Sequence, residues 1–248
     1  MLQDLNNLQN VIQKQKVCDI IKMFECAGGV MANVLKSNIR EISKEYGLNK
    51  KDVDTFANTL AVSFQGYPLF EYFANNKYDA KRMKKFWKVS LKTMSEKTFF
   101  ISDSEEANSL AIFSPYEKGG ISIWKYIKAG GLGLIPAIGL KMTKRMTTFE
   151  KFAMEIKDKY ANQGCWYLYV FVTMPEFRGK GLGSKLMRPM MDYLDQHKQD
   201  CYLETLLPVN VEIYKKYGFE LKEEVKVPNT DLTLYAMLRT AKTAEGQN

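Results

Sequence analysis

Apolar residues recur every three or four positions along most of the first hundred residues, which is the spacing of amphipathic helices. Residues 2–24 show this pattern first, and we expect an N-terminal helical extension over residues 1–38. Two more helices are predicted after Asn49 and Asp79, whose side chains can accept hydrogen bonds from a first helical turn. An aromatic cluster at residues 69–73 follows the first of these helices, and we interpret it mainly as core.

From residue 98 onwards, short apolar runs alternate with polar turns and predict strands. The longest run, Trp166–Val172, has the length of one buried strand and precedes an amphipathic helical pattern over 186–194. Pro189 interrupts that pattern, so we expect a kink there. The other predicted strands cover 98–101, 110–113, 201–206, 221–227 and 232–238, of which the last two form a closing hairpin, and a short helix is predicted over 210–216.

The segment before the longest apolar run is harder to assign, because glycines and other small residues interrupt the apolar positions of residues 117–146. We interpret residues 117–160 as an insertion that forms a lid between the third and fourth strands of the main domain. Within it, Thr147 and Glu150 have the spacing of a capping box and predict that a helix begins there.

The chain has 248 residues and a formal net charge of +8, with lysines spread over its whole length. This distribution favours a solvated basic surface that steers a polyanionic ligand, and it makes nucleic-acid binding a less favoured partner class. The apolar residues 129–140 are too few to span a bilayer. The basic segment 141–145 beside them leaves contact with a membrane surface as an alternative. The N-terminus has no signal-peptide pattern.

Four cysteines and one histidine are too few and too scattered to indicate a disulfide framework or a zinc site. There is no Cys-x-x-Cys pair, so we expect no metal. Reduced thiols are typical of the cytoplasm, which is the location that we expect.

A glycine-rich turn lies between the longest apolar run and the helical pattern that follows it. Residues 178–184 read Arg-Gly-Lys-Gly-Leu-Gly-Ser. Glycines allow close backbone approach and positive φ angles, and the N-terminus of the next helix adds a partial positive charge. The segment therefore predicts an anion cradle. A nucleotide-binding P-loop and a dinucleotide fingerprint both need a different glycine spacing.

The pattern Arg178-x-x-Gly181-x-Gly183 resembles the pyrophosphate-binding motif of the GNAT superfamily of acyl-CoA-dependent N-acyltransferases. Residues 213–219 resemble the superfamily's second signature, a tyrosine followed by Gly-Phe. The sequence around Glu204, Asn210 and Tyr214 is similar to the small-molecule branch that includes puromycin-type N-acetyltransferases.

The resemblance covers residues 98–240 well and residues 39–97 loosely. It implies the α/β (α+β) GNAT fold, with a mixed, mostly antiparallel central sheet flanked by helices. We expect the acetyltransferase domain to cover residues 39–240 and the tail over 241–248 to be frayed.

The resemblance also implies roles in binding acetyl-CoA. The cradle would bind the pyrophosphate through backbone N–H groups, the end of the preceding strand would pair with the pantetheine amides, and Asn210 would hydrogen-bond the pantetheine. The residues so assigned are Phe171, Val172, Thr173, Arg178, Gly179, Lys180, Gly181, Leu182, Gly183, Ser184, Asn210 and Tyr214. Tyr214 would also be the general acid that protonates the leaving thiolate.

Glu204 is the candidate base, because a carboxylate is unusual in the middle of a strand unless it is paired or used. It would deprotonate the amine directly or through water, or it would only orient the amine. The implied activity is transfer of an acetyl group from acetyl-CoA to a primary amine of a small molecule by direct attack, in EC class 2.3.1. A monomer and a homodimer are both compatible with this activity.

Residues 39–60 leave a second hypothesis open. A helix, a turn at Gly47 and a new helix near Asn49 are typical of a DNA-binding helix-turn-helix, which would place Lys50 and Lys51 near DNA phosphates. The chain would then be a regulator with a CoA-sensing domain. The alternative for the same residues is the first strand of an acetyltransferase, which we favour because base-reading side chains are few there.

Overall fold

A computed structural model of the chain describes residues 40–43, 48–94, 97–116, 128, 130–134, 138–162 and 164–242. The predicted N-terminal extension, most of the lid before residue 138 and the last six residues lie outside this range. The described helices are α1 (Lys50–Ser63), α2 (Pro68–Ala74), α3 (Ala80–Thr93), α4 (Leu140–Tyr160), α5 (Leu182–Gln196) and α6 (Pro208–Lys215). The described strands are β1 (Arg40–Ser43), β2 (Phe99–Ser102), β3 (Ser109–Pro115), β4 (Trp166–Thr173), β5 (Cys201–Thr205), β6 (Glu220–Lys226) and β7 (Thr233–Arg239).

One seven-stranded sheet runs through the described part of the chain, in the order β1-β2-β3-β4-β5-β7-β6. Every neighbouring pair is antiparallel except β4 and β5, which are parallel. Helix α5 makes the crossover that a parallel pair requires. The mixed, mostly antiparallel sheet and the strands predicted from residue 98 onwards are thus confirmed.

Strand β1 decides between the two interpretations of residues 39–60. Arg40 lies opposite Ser102 and Ser43 lies opposite Phe99, so this segment is paired with β2. A helix-turn-helix would need a helix at these positions. The helix-turn-helix hypothesis is therefore wrong, and the first-strand interpretation is confirmed.

Two of the three predicted helix starts are confirmed by their caps. The side chain of Asn49 accepts a hydrogen bond of 2.9 Å from the amide of Asp52, and Asp79 accepts one of 2.7 Å from the amide of Arg82. Each bond satisfies an amide group that the first turn of a helix leaves without a backbone partner. These two residues therefore fix where α1 and α3 begin.

The third predicted start, at Thr147, is wrong. Helix α4 begins at Leu140, directly after its N-cap Gly139, which has a positive φ of 82° that favours glycine. The Thr147 hydroxyl donates instead to the carbonyl groups of Thr143 and Lys144, at 3.1 and 3.0 Å. Those bonds satisfy the hydroxyl inside the helix, so a capping-box spacing occurs here without a cap. Helix α5 continues through Pro189 to Gln196, and the kink expected at Pro189 stays a prediction.

The sheet separates two clusters of buried side chains. Helices α1 to α4 cover one side, here called the α4 face, where Phe56, Leu60 and Trp87 are buried. Phe70 and Phe73 belong to this cluster, which confirms that the aromatic segment 69–73 is mainly core. Helices α5 and α6 cover the other side, here called the α5 face. Its buried residues include Leu186, Met187, Met190 and Leu194, which were predicted as the apolar stripe of α5.

Candidate active site

The parallel strands β4 and β5 are paired only where they begin. Trp166 lies opposite Cys201 and Tyr167 lies opposite Tyr202, and the described ladder between these strands ends there. The remaining six residues of β4 and three residues of β5 diverge. Divergence leaves backbone donors and acceptors facing the gap, where an extended ligand can pair like an added strand.

A bulge in β4 lies at the start of this divergence. Ile112 pairs with Val170 and Phe113 pairs with Leu168, so Tyr169 is an extra residue in β4. A bulge increases the local bend and twist of its strand. Tyr169 and Val170, although adjacent in sequence, consequently both pack on the α4 face.

The glycine-rich turn has the backbone of an anion cradle. Gly179 and Gly181 have φ angles of 76° and 74°, in the left-handed region that glycine adopts without steric cost. Gly181 is also the N-cap of α5, so that helix has no side-chain cap. The amide groups of its first turn are therefore available to an anion, and the helix dipole favours negative charge there.

Gly183 has a different role in the cradle. A β-carbon at this position would lie 2.7 Å from Cζ of Phe171, which is closer than real contacts allow. The ring of Phe171 therefore rests directly on the first turn of α5. This contact sets the distance between the end of β4 and the cradle.

The side chain of Arg178 points back to the scaffold. Its Nε donates to the carbonyl of Thr173 at 3.2 Å, and its Nη2 donates to the carbonyl of Ser63 at 3.4 Å. These bonds join the ends of β4 and α1 in front of the cradle. Any contact of Arg178 with CoA stays a prediction, as it does for the other residues assigned to the cradle.

Tyr214 lies on the α5 face beside the opening. Its side chain is buried, and its ring centroid lies 6.2 Å from that of Phe171 and 5.9 Å from that of Phe219. Burial, followed by the neighbouring phenols of Tyr67 and Tyr217, raises the pKa of Tyr214. The group is therefore a neutral phenol at physiological pH, which is the form that can donate a proton.

Asn210 takes part in a hydrogen-bond network at the end of β5. Its Nδ2 donates to Oγ1 of Thr205 at 3.0 Å, and the hydroxyl of Tyr67 lies 3.3 Å from the same atom. The Tyr67 hydroxyl also accepts a bond of 2.9 Å from the amide of Leu206. Leu207 is the N-cap of α6, so Asn210 lies inside the helix and does not cap it.

Glu204 lies on the α4 side of the opening. Its Oε1 accepts a 2.7 Å hydrogen bond from the Tyr167 hydroxyl. Its Oε2 and the hydroxyl of Tyr202 are both buried and make no hydrogen bond of good geometry among the described residues, but the Tyr202 hydroxyl lies close enough to the carboxylate to lower its pKa. Burial raises the pKa of Glu204 to about 7, although the Tyr167 hydrogen bond and the charge of Lys157 act in the opposite direction. A carboxyl group with such a pKa can accept and release protons near neutrality.

A comparison with known protein families shows which family the residues of this site are similar to. The sequence model of the Acetyltransferase (GNAT) family matches residues 149–219, a range that includes β4, the cradle, Glu204 and Tyr214. Residues 149–219 of the chain therefore match the GNAT acetyltransferase family. GNAT enzymes are acyltransferases, and acetyl-CoA is their usual donor.

Several solved structures are similar to this chain in fold. Histone acetyltransferase HPA2 and related acetyltransferase from Corynebacterium glutamicum aligns with a TM-score of 0.53 and 15% identity, over 83% of this chain and 98% of that one. Arylalkylamine N-acetyltransferase 2 from Aedes aegypti aligns with a TM-score of 0.53 and 16% identity, over 83% and 100%. The C-terminal condensation domain of Ebony aligns with a TM-score of 0.57 and 9% identity, over 82% and 99%. These similarities establish the fold alone.

Three functional candidates of this GNAT site were missed in the sequence. Tyr67 lies in the turn between α1 and α2, Tyr167 lies in β4, and Lys157 lies in the last turns of α4. The alternation of Tyr167 and Tyr169 with apolar residues indicates a polar-edged face of β4, and this pattern could have identified Tyr167. Local sequence contains no comparable indication for Tyr67 or Lys157, because their neighbours in space come from distant segments.

The described residues contain neither a metal-binding cluster nor a membrane-spanning helix. Among the described residues, no group of three or more His, Cys, Asp or Glu side chains could hold a metal ion. In that same part of the chain, no helix has the length and apolar character needed to cross a bilayer. Cys165 and Cys201 are buried free thiols.

Proposed function

We propose that this protein transfers an acetyl group from acetyl-CoA to a primary amine of a small molecule by direct attack. One observation carries the proposal. Glu204 and Tyr214 lie on opposite faces of the sheet, beside the one parallel pair of strands in the described sheet. A base that faces α4 and an acid that faces α5 suit an amine and a thioester that meet from the two sides.

The donor would lie on the α5 face. Its pyrophosphate would bind the amide groups of the cradle, residues 179–184, and its pantetheine would pair with the diverging backbone of Phe171, Val172 and Thr173. One amide group of β4 would donate to the thioester oxygen and stabilise the charge that develops there. Asn210 would donate to a pantetheine carbonyl once its bond to Thr205 is exchanged.

In the reaction, the amine nitrogen attacks the thioester carbonyl and forms a C–N bond. Glu204 accepts the proton that the nitrogen loses, directly or through water. The tetrahedral intermediate collapses with cleavage of the C–S bond, and the thiolate takes a proton from the Tyr214 hydroxyl. The phenolate then regains a proton from solvent, while Glu204 releases its proton.

The resemblance to the puromycin-type branch supports a small-molecule acceptor. The buried free thiols of Cys165 and Cys201 agree with the cytoplasmic location that we propose.

The test is an assay in which the protein is incubated with acetyl-CoA and each of a panel of small amines. A thiol reagent measures the free CoA that is released. We expect turnover on some members, and a fall in kcat of at least roughly 100-fold in Glu204→Gln and in Tyr214→Phe. Glu224→Gln is the matched control, because Glu224 is exposed on β6. Absence of both turnover and CoA binding would falsify the proposal.

A further inference from the structure

Lys157 holds an ammonium group beside the site on the α4 face. Its Nζ lies 5.0 Å from the ring centroid of Tyr167 and 5.5 Å from that of Tyr116. Two aromatic faces fix a cation by cation–π attraction without neutralising its charge. No carboxylate among the described residues forms an ion pair with this ammonium group.

The charged neighbours of Lys157 in α4 are engaged elsewhere. Asp158 accepts a 2.9 Å hydrogen bond from the hydroxyl of Tyr116. Lys159 pairs with Glu223 at 3.2 Å. Lys157 therefore differs from the residues beside it, because its half-buried ammonium group faces aromatic rings and forms no ion pair with a described carboxylate.

A group of opposite charge lies at the other end of the same tyrosine. Tyr167 presents its ring to the ammonium group of Lys157 and its hydroxyl to Oε1 of Glu204, at 2.7 Å. The second oxygen, Oε2, is buried and makes no hydrogen bond of good geometry among the described residues, although the Tyr202 hydroxyl lies near the carboxylate. Within the described residues, an ammonium group without an ion pair and a carboxylate with one oxygen outside good hydrogen-bond geometry are thus separated by a single aromatic ring.

From this arrangement we infer that the acceptor is a zwitterion, an amine that carries a carboxylate or similar anionic group a few bonds from its nitrogen. The amine meets Oε2 of Glu204, and the anionic group meets Nζ of Lys157. Both contacts are charge-assisted, and each satisfies a protein group that lacks an ion pair or a hydrogen bond of good geometry among the described residues. An acceptor with two cationic ends would place one of them against Lys157, where like charges repel.

The inference rests on the proposed function and specifies the acceptor's chemical class. Amino acids and their close analogues belong to this class, whereas simple arylalkylamines and polyamines do not. Lys157 acts as a specificity-determining residue, and the chemical step stays with Glu204 and Tyr214.

The experiment compares acceptors that differ only in the anionic group. Each α-amino acid in a panel is assayed beside its decarboxylated amine and its methyl ester, with acetyl-CoA and free CoA release as the readout. We expect kcat/KM for the amino acid to exceed that for its partners by roughly tenfold or more, the value of one charge-assisted hydrogen bond. In Lys157→Met that ratio falls towards one, and in Lys157→Arg it is retained.

Lys159→Met is the matched control, because Lys159 lies two residues away on the same helix and is paired with Glu223. It should leave the acceptor ratio unchanged. Preference for the decarboxylated amines, or an unchanged ratio in Lys157→Met, would overturn the inference while transfer itself persists. Failure of the proposed function gives a different result, namely no transfer to either member of any pair.

Discussion

At the scale of single residues, Glu204 is the most unusual group of the described chain. It is a carboxylate in the middle of a strand, next to two tyrosines, with one buried oxygen that makes no hydrogen bond of good geometry among the described residues. Its environment raises the pKa to about 7, so a small change in pH switches the group between acid and base. The same burial that provides a base near neutrality also works against the stability of the fold.

The first prediction concerns the pH dependence of activity. Glu204 must be ionised to accept a proton, so kcat/KM should rise with pH and level off above about 7. Tyr167, Tyr202 and Lys157 face this carboxylate, and the charge of Lys157 lowers its pKa. Lys157→Met should therefore move the midpoint to higher pH, as measured by kcat/KM profiles. A midpoint that stays at the same pH in Lys157→Met and in Glu204→Gln would assign it to another group.

The second prediction concerns stability. The pKa of Glu204 is about 7 in the folded state against 4.5 for an unperturbed glutamate, so the folded protein binds more protons between these pH values. Stability is therefore lost as pH rises from 4.5 to 7. Glu204→Gln should be more stable than the wild type at pH 8, by roughly 2–3 kcal/mol, and equally stable at pH 4.

Urea denaturation of both proteins at the two pH values measures this difference. Glu224→Gln, at an exposed position, should show no such pH-dependent gain. A wild type that is the more stable protein at pH 8 would mean that the carboxylate of Glu204 is stabilised by its surroundings.

At the scale of elements, the site depends on how β4 meets α5. The left-handed glycines turn the chain, and the ring of Phe171 rests on Gly183. A side chain at position 183 must displace that ring, which belongs to the strand expected to pair with pantetheine. A change in the position of the cradle should therefore also shift the end of β4.

The third prediction uses this contact. Gly183→Ala should weaken acetyl-CoA binding by roughly tenfold, because its β-carbon would lie 2.7 Å from Phe171 Cζ. Phe171→Leu in the same chain should recover part of that loss by removing the clash. Isothermal titration of CoA into the two single variants and the double variant measures the coupling, and strict additivity of the two losses would contradict it.

The elements themselves were largely predictable, since their patterns are local. Asn49 and Asp79 cap the helices that they were expected to cap, and short apolar runs between polar turns identified the strands. Thr147 misled the prediction because capping-box residues are also tolerated inside a helix, where the hydroxyl bonds to the preceding turn. Helix α4 begins directly after Gly139 and packs against α2, and the local pattern does not contain that packing.

At the scale of the whole molecule, one buried ion pair joins distant parts of the fold. Arg239, at the end of β7, is 2% exposed and pairs with Asp195 of α5 at 2.6 Å. Its Nε also donates to the carbonyl of Tyr217 at 2.9 Å. Burial opposes ionisation of Asp195, but the hydrogen bonds from Arg239 and the amide of Lys242 lower its pKa overall.

The fourth prediction follows from this pair. Asp195→Asn leaves the buried guanidinium without its counter-charge and should reduce the free energy of unfolding by about 2–4 kcal/mol. Asp192→Asn, at an exposed position of the same helix, should cost little. The wild type should lose this stability as pH falls through the lowered pKa of Asp195, and urea titrations at pH 7 and at acidic pH measure it. Equal costs for the two variants would show that the pair contributes little.

The active site was only partly predictable, for reasons of chain distance. The cradle, Glu204 and Tyr214 stand in short motifs or in a strand, where a glycine or a carboxylate is noticeable on its own. The Tyr67 hydroxyl accepts a hydrogen bond from an amide 139 residues away in sequence. The role proposed for Lys157 depends on its position beside Tyr167 and Glu204. Such contacts depend on the packing of complete elements and therefore require the folded structure.

The separation of the two cores by the sheet has an evolutionary consequence. The cluster under α5 draws most of its members from a nearly continuous stretch, residues 166–237, whereas the helices that contribute to the opposite cluster, α1 to α4, lie in two separate segments of the chain. A lineage can therefore exchange or remodel the helices of the α4 face while it inherits the packing under α5 unchanged. The same exchange can be made in the laboratory by replacing residues 48–94 and 138–162 of this chain with those of a relative. The chimera should take the relative's acceptor preference and keep the affinity of this chain for the donor.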